Sequence, residues 1–302
     1  MEKRPTGGDP GKGRFSVIIV LTLAASMLPE ILFRESSGRV PAELPLFRLM
    51  ALALAGTLAH YLKYSNIAKY ALVLGTIVLA EILTKQVSSS GLWQEAFDRR
   101  SFAGNFGGSI LLKLIGAVPV IGVLLALFKT PAAVYLTRGD LSVKAEAINW
   151  LGIKRDTISW GKLALISALL ICLGTALLTV LTVTGASSSI NADNLLKYFP
   201  LVILFAAANS FCEGIVFRSA ILGSLRNALS KGRAVFAAAL IFGIGHYYGA
   251  PSGIVGVVMS SILGWYMSTS MYETQGFAAS WLIHFMQDAV IFSTILLLGN
   301  YN

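Results

Sequence analysis

Residues 199–222 have the sequence FPLVILFAAANSFCEGIVFRSAIL, a run long enough to cross a lipid bilayer as one helix. Only two charged side chains, Glu213 and Arg218, interrupt it. The apolar residues are continuous rather than alternating, which is typical of a membrane-spanning helix and not of a barrel strand. The stretch therefore predicts an all-α polytopic transmembrane helical bundle.

The composition of the whole chain agrees with this fold class. Of its 302 residues, 55% are hydrophobic and 13% are charged, and the mean hydropathy is +0.71. A soluble domain carries about 25% charged residues, so this chain has too few to cover a globular surface. Cys172 and Cys212 lie in apolar segments and give neither a metal-ligand spacing nor a disulfide framework. Soluble enzymes, disordered chains and disulfide-rich secreted domains are therefore excluded.

Hydropathy predicts about eight to nine spans. The nine candidate spans are 15–33, 44–62, 67–83, 109–128, 163–183, 199–222, 233–248, 252–271 and 275–298. The first resembles a signal peptide, but its apolar run continues to Phe33, which favours a retained helix. Residues 1–14 are rich in Gly, Pro and Lys and are predicted to be disordered. Residues 15–128 form a four-span region without an assigned role, and 129–162 form a charged linker.

The net charge of +9 is explained by topology. If the N-terminus is placed in the cytoplasm, most lysines and arginines outside the spans lie in cytoplasmic segments. We therefore predict a multi-pass protein of the cell (plasma) membrane with a cytoplasmic N-terminus and a cytoplasmic 129–162 linker. With an odd number of spans, the C-terminus is external. The basic charge does not indicate a nucleic-acid partner; the lipid bilayer is the predicted environment.

Ionisable groups within the spans concentrate in the second half of the chain. Each costs about 2.5–3.5 kcal/mol at mid-bilayer, so each is a candidate functional group. His284 and Asp288 are four residues apart and share one helical face, as do Phe242 and His246. Glu213 and Arg218 are about 140° apart around a helix. Each of these two is therefore expected to find its partner on another helix.

Taken singly, these residues also have structural interpretations. Glu213 and Arg218 are compatible with an interhelical ion pair, a lone His246 with a helix cap, and His284 with an interhelical hydrogen bond to Asp288. Four more charged groups are predicted to reach from span ends toward the headgroups: Arg48, Lys113, Glu30 and Glu81.

Taken in order, the three motifs resemble those of the CPBP family of intramembrane proteases, which includes type II CAAX prenyl endopeptidases and bacteriocin-processing or immunity (Abi-like) proteins. The family pattern is EExxxR, then FxxxH, then HxxxN or HxxxD. Here Glu213 and Arg218 match the first motif and Phe242 and His246 the second. His284 and Asp288 match the third, and the resemblance covers roughly residues 160–298. The resemblance implies that residues 163–302 are the catalytic helical bundle.

The resemblance also implies a mechanism. Glu213 and His246 would activate water for hydrolysis of a peptide bond, and His284 and Asp288 would stabilise the oxyanion. Arg218 and Phe242 would be structural supports. The substrate implied is a membrane-associated protein or peptide, for instance a lipidated or CAAX-like one. We expect no metal cofactor; the alternative is Zn²⁺ held by Glu213, His246, His284 and Asp288.

One position departs from the family pattern, because Gly214 stands where the second glutamate is expected. This departure keeps open a catalytically silent membrane scaffold or bacteriocin-immunity protein. A proton-coupled transporter is the third alternative, although no internal repeat supports it.

Overall fold

The computed structural model describes residues 10–98, 100–183 and 192–298, and their regular structure is helical apart from two isolated β-bridges. The α-helices are α1 (Pro10–Ala25), α2 (Leu28–Ser37), α3 (Leu44–Tyr61), α4 (Ser65–Ser89), α5 (Gly91–Ala96), α6 (Phe102–Phe128), α7 (Trp160–Val183), α8 (Ala192–Gly214), α9 (Ala220–Leu225), α10 (Lys231–Ile244), α11 (Gly253–Thr274) and α12 (Ala278–Leu298). A π-helical turn, Ile215–Ser219, joins α8 to α9. Short 3₁₀ turns are Pro131–Val134 and Asn149–Leu151.

The predicted fold class, an all-α polytopic bundle, is confirmed. In the described part of the chain, seven helices are long and apolar enough to cross a membrane: α3, α4, α6, α7, the continuous Ala192–Leu225 helix, α11 and α12. The first predicted span, 15–33, is instead the pair α1 and α2, bent by 58° at the break between them. The seventh, 233–248, is α10, whose 14 residues extend only about 21 Å. Among the described residues the count is therefore seven, or eight if the bent pair is one span, which meets the lower end of the predicted eight to nine.

The N-terminal segment that was predicted to be disordered is only partly described. Helix α1 begins at Pro10, so residues 10–14 are helical, and residues 1–9 lie outside the described part of the chain.

A buried arginine stabilises the break between α1 and α2. Pro29 lies in the first turn of α2 and lacks an N–H group, so the α1 ladder cannot continue through it. The carbonyl groups of Ala24 and Ala25 are left free, and Arg48 on α3 donates hydrogen bonds to both. Arg48 is only 4% exposed, so the prediction that it reaches toward the headgroups is wrong.

Helices α4 and α6 are longer than their hydropathy spans, and this changes the depth of two polar residues. Helix α6 begins at Phe102 instead of near residue 109, so Lys113 lies near its middle. Helix α4 continues to Ser89, so Glu81 lies two turns inside its end. Polar residues before and after an apolar core extend both helices beyond the window that hydropathy detects.

The charged 129–162 segment folds over the turn between α11 and α12. Asp140 N–H donates to the Thr274 carbonyl, and Phe277 N–H donates to the Thr137 carbonyl. Gly139 has φ +77°. It lies so close to Gly276 that a Cβ added to Gly139 would be 2.7 Å from the Gly276 Cα. Such an approach requires glycine at both positions. The segment thereby anchors the start of α12.

Helix packing brings helices from both halves of the chain into contact. α8 packs against α12 and α6, α6 also packs against α4, and α10 packs against α11. One apolar core contains residues of α1, α3 and α4 together with residues of α9 and α10. Gly243 permits the close α10–α11 approach, because an added Cβ would lie 2.6 Å from the Val257 carbonyl oxygen. The two halves therefore form one bundle, and its inner faces carry the polar side chains.

Candidate active site within the bundle

The site is built on the inner face of α8. Asn209 and Glu213 are four residues apart and therefore share that face. The helix then widens into the π-helical turn that carries Arg218, and such turns are frequent at functional sites. Glu213 is largely buried, with 14% of its side chain exposed. Its carboxylate and the Arg218 guanidinium contact different helices, as their spacing predicts.

Helix α6 supplies the cation that pairs with Glu213. Lys113 Nζ lies 2.7 Å from Glu213 Oε1 and also donates to Asn209 Oδ1. Asn209 in turn donates from Nδ2 to Asp288 Oδ2 at 3.0 Å. A continuous chain of hydrogen bonds thus links α6, α8 and α12. The prediction that Lys113 reaches toward the headgroups is wrong.

His284 is held between an arginine and two carboxylates. Arg218 Nη2 lies 2.9 Å from His284 Nδ1. A guanidinium only donates, so Nδ1 accepts and the proton of the neutral ring is on Nε2. Nε2 lies 3.5 Å from Glu213 Oε2 and 3.6 Å from Asp288 Oδ1. The ring therefore presents an N–H group to the place where the two carboxylates meet.

His246 has the complementary orientation. It follows the end of α10, and its Nδ1 lies 2.7 Å from the Phe242 carbonyl oxygen. A carbonyl only accepts, so Nδ1 carries the proton and Nε2 of the neutral ring is an acceptor. The Phe242 ring packs against His246 at 4.4 Å between centroids and meets His284 edge-on at 5.7 Å. Phe242 therefore separates and orients the two imidazoles.

The depths of Glu213 and His246 agree because of the tight turn between α9 and α10. At about 1.5 Å per residue, Glu213 lies about 18 Å before the end of α9 and His246 about 22 Å after the start of α10. The two helices run in opposite directions from that turn, so both side chains come to the same level.

The space beside Gly214, where a side chain would lie, is filled by the Phe277 ring. An added Cβ would be 2.4 Å from Phe277 Cζ and 3.3 Å from Arg218 Nη2. Arg218 is fully buried, and its Nε and Nη1 have no hydrogen-bond partner among the described residues. The Phe242 ring lies under the guanidinium, 5.4 Å from Cζ. Because position 214 carries no carboxylate, the charge of the buried Arg218 is only partly compensated.

A cavity of about 460 Å³ opens in front of Glu213 and His246. Its walls come from both halves of the chain: Ala25, Ser26, Met27, Glu30, Arg48, Ile77, Ala80, Glu81, Thr84, Leu112, Lys113, Gly116 and Val120 on one side, and Cys212, Glu213, Val216, Phe217, Ile241, Gly245 and His246 on the other. Apolar side chains dominate, with charged groups at two places. The cavity is large enough for a segment of polypeptide or an acyl-type chain.

The structure brings the six predicted residues together around His284. This histidine contacts Glu213, Asp288, Arg218 and Phe242. His246 joins them through the Phe242 ring and lines the same cavity as Glu213. Sequence reasoning missed the contribution of Lys113 and Asn209. Asn209 carried a usable signal, because it precedes Glu213 by one turn. Lys113 did not, because its span was drawn too short.

The four candidate zinc ligands have other partners in this arrangement. Among residues 10–98, 100–183 and 192–298, no group of three or more His, Cys, Asp or Glu side chains is arranged to hold a metal ion. Lys113 contacts Glu213 and Arg218 contacts His284, so two of the four candidate ligands are paired with cations.

Comparisons with known proteins agree with the motifs. Residues 195–290 match the family described as type II CAAX prenyl endopeptidase Rce1-like. No curated protein and no solved structure matches the chain significantly. The matched segment contains all six motif residues, whereas Lys113 lies outside it. The resemblance of this multi-pass membrane protein to the CPBP proteases is thereby confirmed, through a segment, residues 195–290, that is similar to type II CAAX prenyl endopeptidase Rce1-like proteins.

Proposed function

We propose that the protein is an intramembrane endopeptidase that hydrolyses a peptide bond in a membrane-associated protein of lipidated or CAAX-like type. The observation that carries the proposal is that Glu213 and His246 line one intramembrane cavity, with His284 and Asp288 directly behind Glu213. The family match supports a CAAX-type intramembrane protease. The substrate, the residue roles and the plasma-membrane orientation with a cytoplasmic N-terminus are parts of the proposal.

Water activation follows from the hydrogen-bond directions. Glu213 and the neutral His246 ring both present acceptors, so one water molecule donates a hydrogen bond to each. Its remaining lone pair then faces the substrate carbonyl. As the water oxygen forms its bond to the carbonyl carbon, Glu213 takes the proton as general base.

The developing negative charge is stabilised by His284 and Asp288, which lie beside Glu213. The C=O electron pair moves to oxygen, and the His284 Nε2–H donates to this oxyanion. The tetrahedral intermediate collapses by breaking its C–N bond, and Glu213 returns the proton to the leaving amine nitrogen. Asp288, held by Asn209, keeps His284 oriented and donates to the oxyanion when it is protonated.

Arg218 and Phe242 act as supports in this scheme. Arg218 fixes the His284 tautomer through Nδ1, and Phe242 fixes the His246 tautomer through its carbonyl. No step involves a metal ion. The domain assignment, with a catalytic bundle at 163–302 and a cytoplasmic linker at 129–162, belongs to the same proposal.

A scaffold without catalysis is the second candidate, and Gly214 favours it. Gly214 replaces the second carboxylate of the family motif, and two nitrogens of Arg218 have no hydrogen-bond partner among the residues that the structure describes. A scaffold requires the bundle but not the base. Loss of the Glu213 carboxylate would then leave the cellular phenotype unchanged.

The substitution Glu213→Gln distinguishes the two candidate functions, because it keeps the shape of the side chain and removes the proposed base. We expect the wild-type protein to generate membrane-protein termini that are absent with the variant, a loss of about 10²–10⁴-fold in processing. Quantitative proteomics of membrane-protein termini measures this, with His246→Ala and His284→Ala as parallel variants. Identical termini in wild-type and Glu213→Gln cells contradict the protease. Processing in isolated membranes with and without a chelator decides between the metal-free mechanism and the Zn²⁺ alternative.

A further inference from the structure

The segment before residue 195 contributes directly to the site, through Lys113. This residue lies near the middle of α6, outside the family-matched residues 195–290. Its ammonium group is the cation nearest to the Glu213 carboxylate in the described structure, at 2.7 Å. With 43% of its side chain exposed, it also lines the cavity. A structural lysine that only neutralised a buried carboxylate would not need that access.

Lys113 holds two groups at once. Besides Glu213 it donates to Asn209, whose Nδ2 holds Asp288. The position of the proposed base and the position of Asp288 therefore depend on one ammonium group. Arg218 cannot replace it, because its only hydrogen bond in the described structure goes to His284.

The charge of Lys113 also offsets the repulsion between two neighbouring carboxylates. Glu213 and Asp288 both approach the imidazole Nε2 of His284, at 3.5 and 3.6 Å. Carboxylates that share a site repel each other when both are ionised. The Lys113 ammonium contacts Glu213 directly and is linked through Asn209 to Asp288. It thus stabilises the approach of the two carboxylates to one histidine.

We propose that Lys113 is a positioning residue of the active site, which fixes the Glu213 carboxylate toward the cavity and, through Asn209, fixes Asp288. The inference rests on the proposed endopeptidase activity and adds a requirement for the N-terminal region of the chain. A 1 Å displacement of a reacting group costs about 10²-fold in rate. Loss of Lys113 is therefore expected to lower processing about 100-fold.

The test uses full-length protein in isolated membranes and follows the rate at which the Glu213-dependent termini appear. We expect Lys113→Met to be about 100-fold slower than wild type. Lys113→Arg, which keeps the charge, should recover most of that loss. Lys85→Met, at an exposed lysine near the end of α4, is the matched control and should keep the wild-type rate.

Chemical rescue separates positioning from folding. Lys113→Ala leaves space for n-propylammonium, which carries the lost charge and replaces the three methylene groups beyond Cβ. We expect it to accelerate Lys113→Ala processing at least about tenfold and Lys113→Met very little, because the methionine side chain fills the space. A purely structural lysine would not be rescued.

The possible failures are distinguishable. If Glu213→Gln is inactive but Lys113→Met keeps a rate within about threefold of wild type, the role of Lys113 is wrong and the endopeptidase stands. If Lys113→Met is slow, and neither Lys113→Arg nor n-propylammonium with Lys113→Ala restores the rate, the residue is only structural. If Glu213→Gln processes like wild type, both proposals are overturned.

Discussion

Two charged clusters line the same cavity, and they differ in how completely their hydrogen bonds are satisfied. In the first, all three nitrogens of Arg48 donate, to the Ala24 and Ala25 carbonyls and to the carboxylates of Glu30 and Glu81. In the second, Arg218 uses only Nη2, and its other two nitrogens have no partner among the described residues. We call the first the closed cluster, because every nitrogen of its arginine donates, and the second the open cluster, because two nitrogens of its arginine do not.

The difference indicates which cluster is structural and which is reactive. A buried ion pair is maintained when further hydrogen bonds satisfy its remaining donors, as around Arg48. A group that must exchange protons with water and substrate cannot have all its acceptors occupied. Glu213 and His246 meet that condition at the cavity wall. The comparison therefore supports our proposal that the Arg48 cluster stabilises the fold and that the Glu213 cluster carries the chemistry.

The largest effect on stability is expected from the closed cluster. Arg48→Met removes the cation between two carboxylates and frees the carbonyls at the α1–α2 break. Removing one member of a buried pair costs about 3–5 kcal/mol. Thermal unfolding in detergent should show a clearly lower midpoint for Arg48→Met, whereas Arg39→Met at an exposed arginine should resemble wild type. An unchanged midpoint would mean that the cluster does not stabilise the break.

A smaller effect on stability is expected at Gly214 in the open cluster. Gly214→Glu overpacks the space taken by the Phe277 ring and should cost about 1–3 kcal/mol. In a Phe277→Ala background the same substitution has room, and its carboxylate can accept from Arg218. The double-mutant cycle should therefore give a favourable coupling of about 0.5–3 kcal/mol. Gly214→Gln in both backgrounds is the control, because glutamine has the same size as glutamate but no charge. Zero coupling for glutamate would contradict the interpretation that the charge of Arg218 is only partly compensated.

The sequence predicted the fold class and the six motif residues but not their surroundings. Glu213, His246 and His284 stood out because ionisable groups are rare in apolar spans. The hydropathy window begins at residue 109 whereas α6 begins at Phe102, so the sequence places Lys113 too near a boundary. Arg48 lies four residues from the start of α3, as predicted, and tertiary contacts with the α1–α2 break bury it.

The remaining errors have a similar origin. The bend between α1 and α2 depends on Pro29 together with a tertiary contact from Arg48, and local sequence reveals only the proline. Helix α10 is short because the chain turns immediately after His246, where an uncharged segment lengthened the predicted span. Tertiary contacts thus decided the features that periodicity could not.

The most direct test compares Glu213→Gln with Glu81→Gln, since each replaces a carboxylate by an amide at the wall of one cavity. Processing rates in isolated membranes and unfolding midpoints in detergent are measured for both variants and the wild type. We predict that Glu213→Gln loses about 10²–10⁴-fold in rate and remains folded, while Glu81→Gln keeps a rate within about threefold of wild type. Equal rates for the two variants, or a wild-type rate for Glu213→Gln, would contradict the assignment of the chemistry to Glu213.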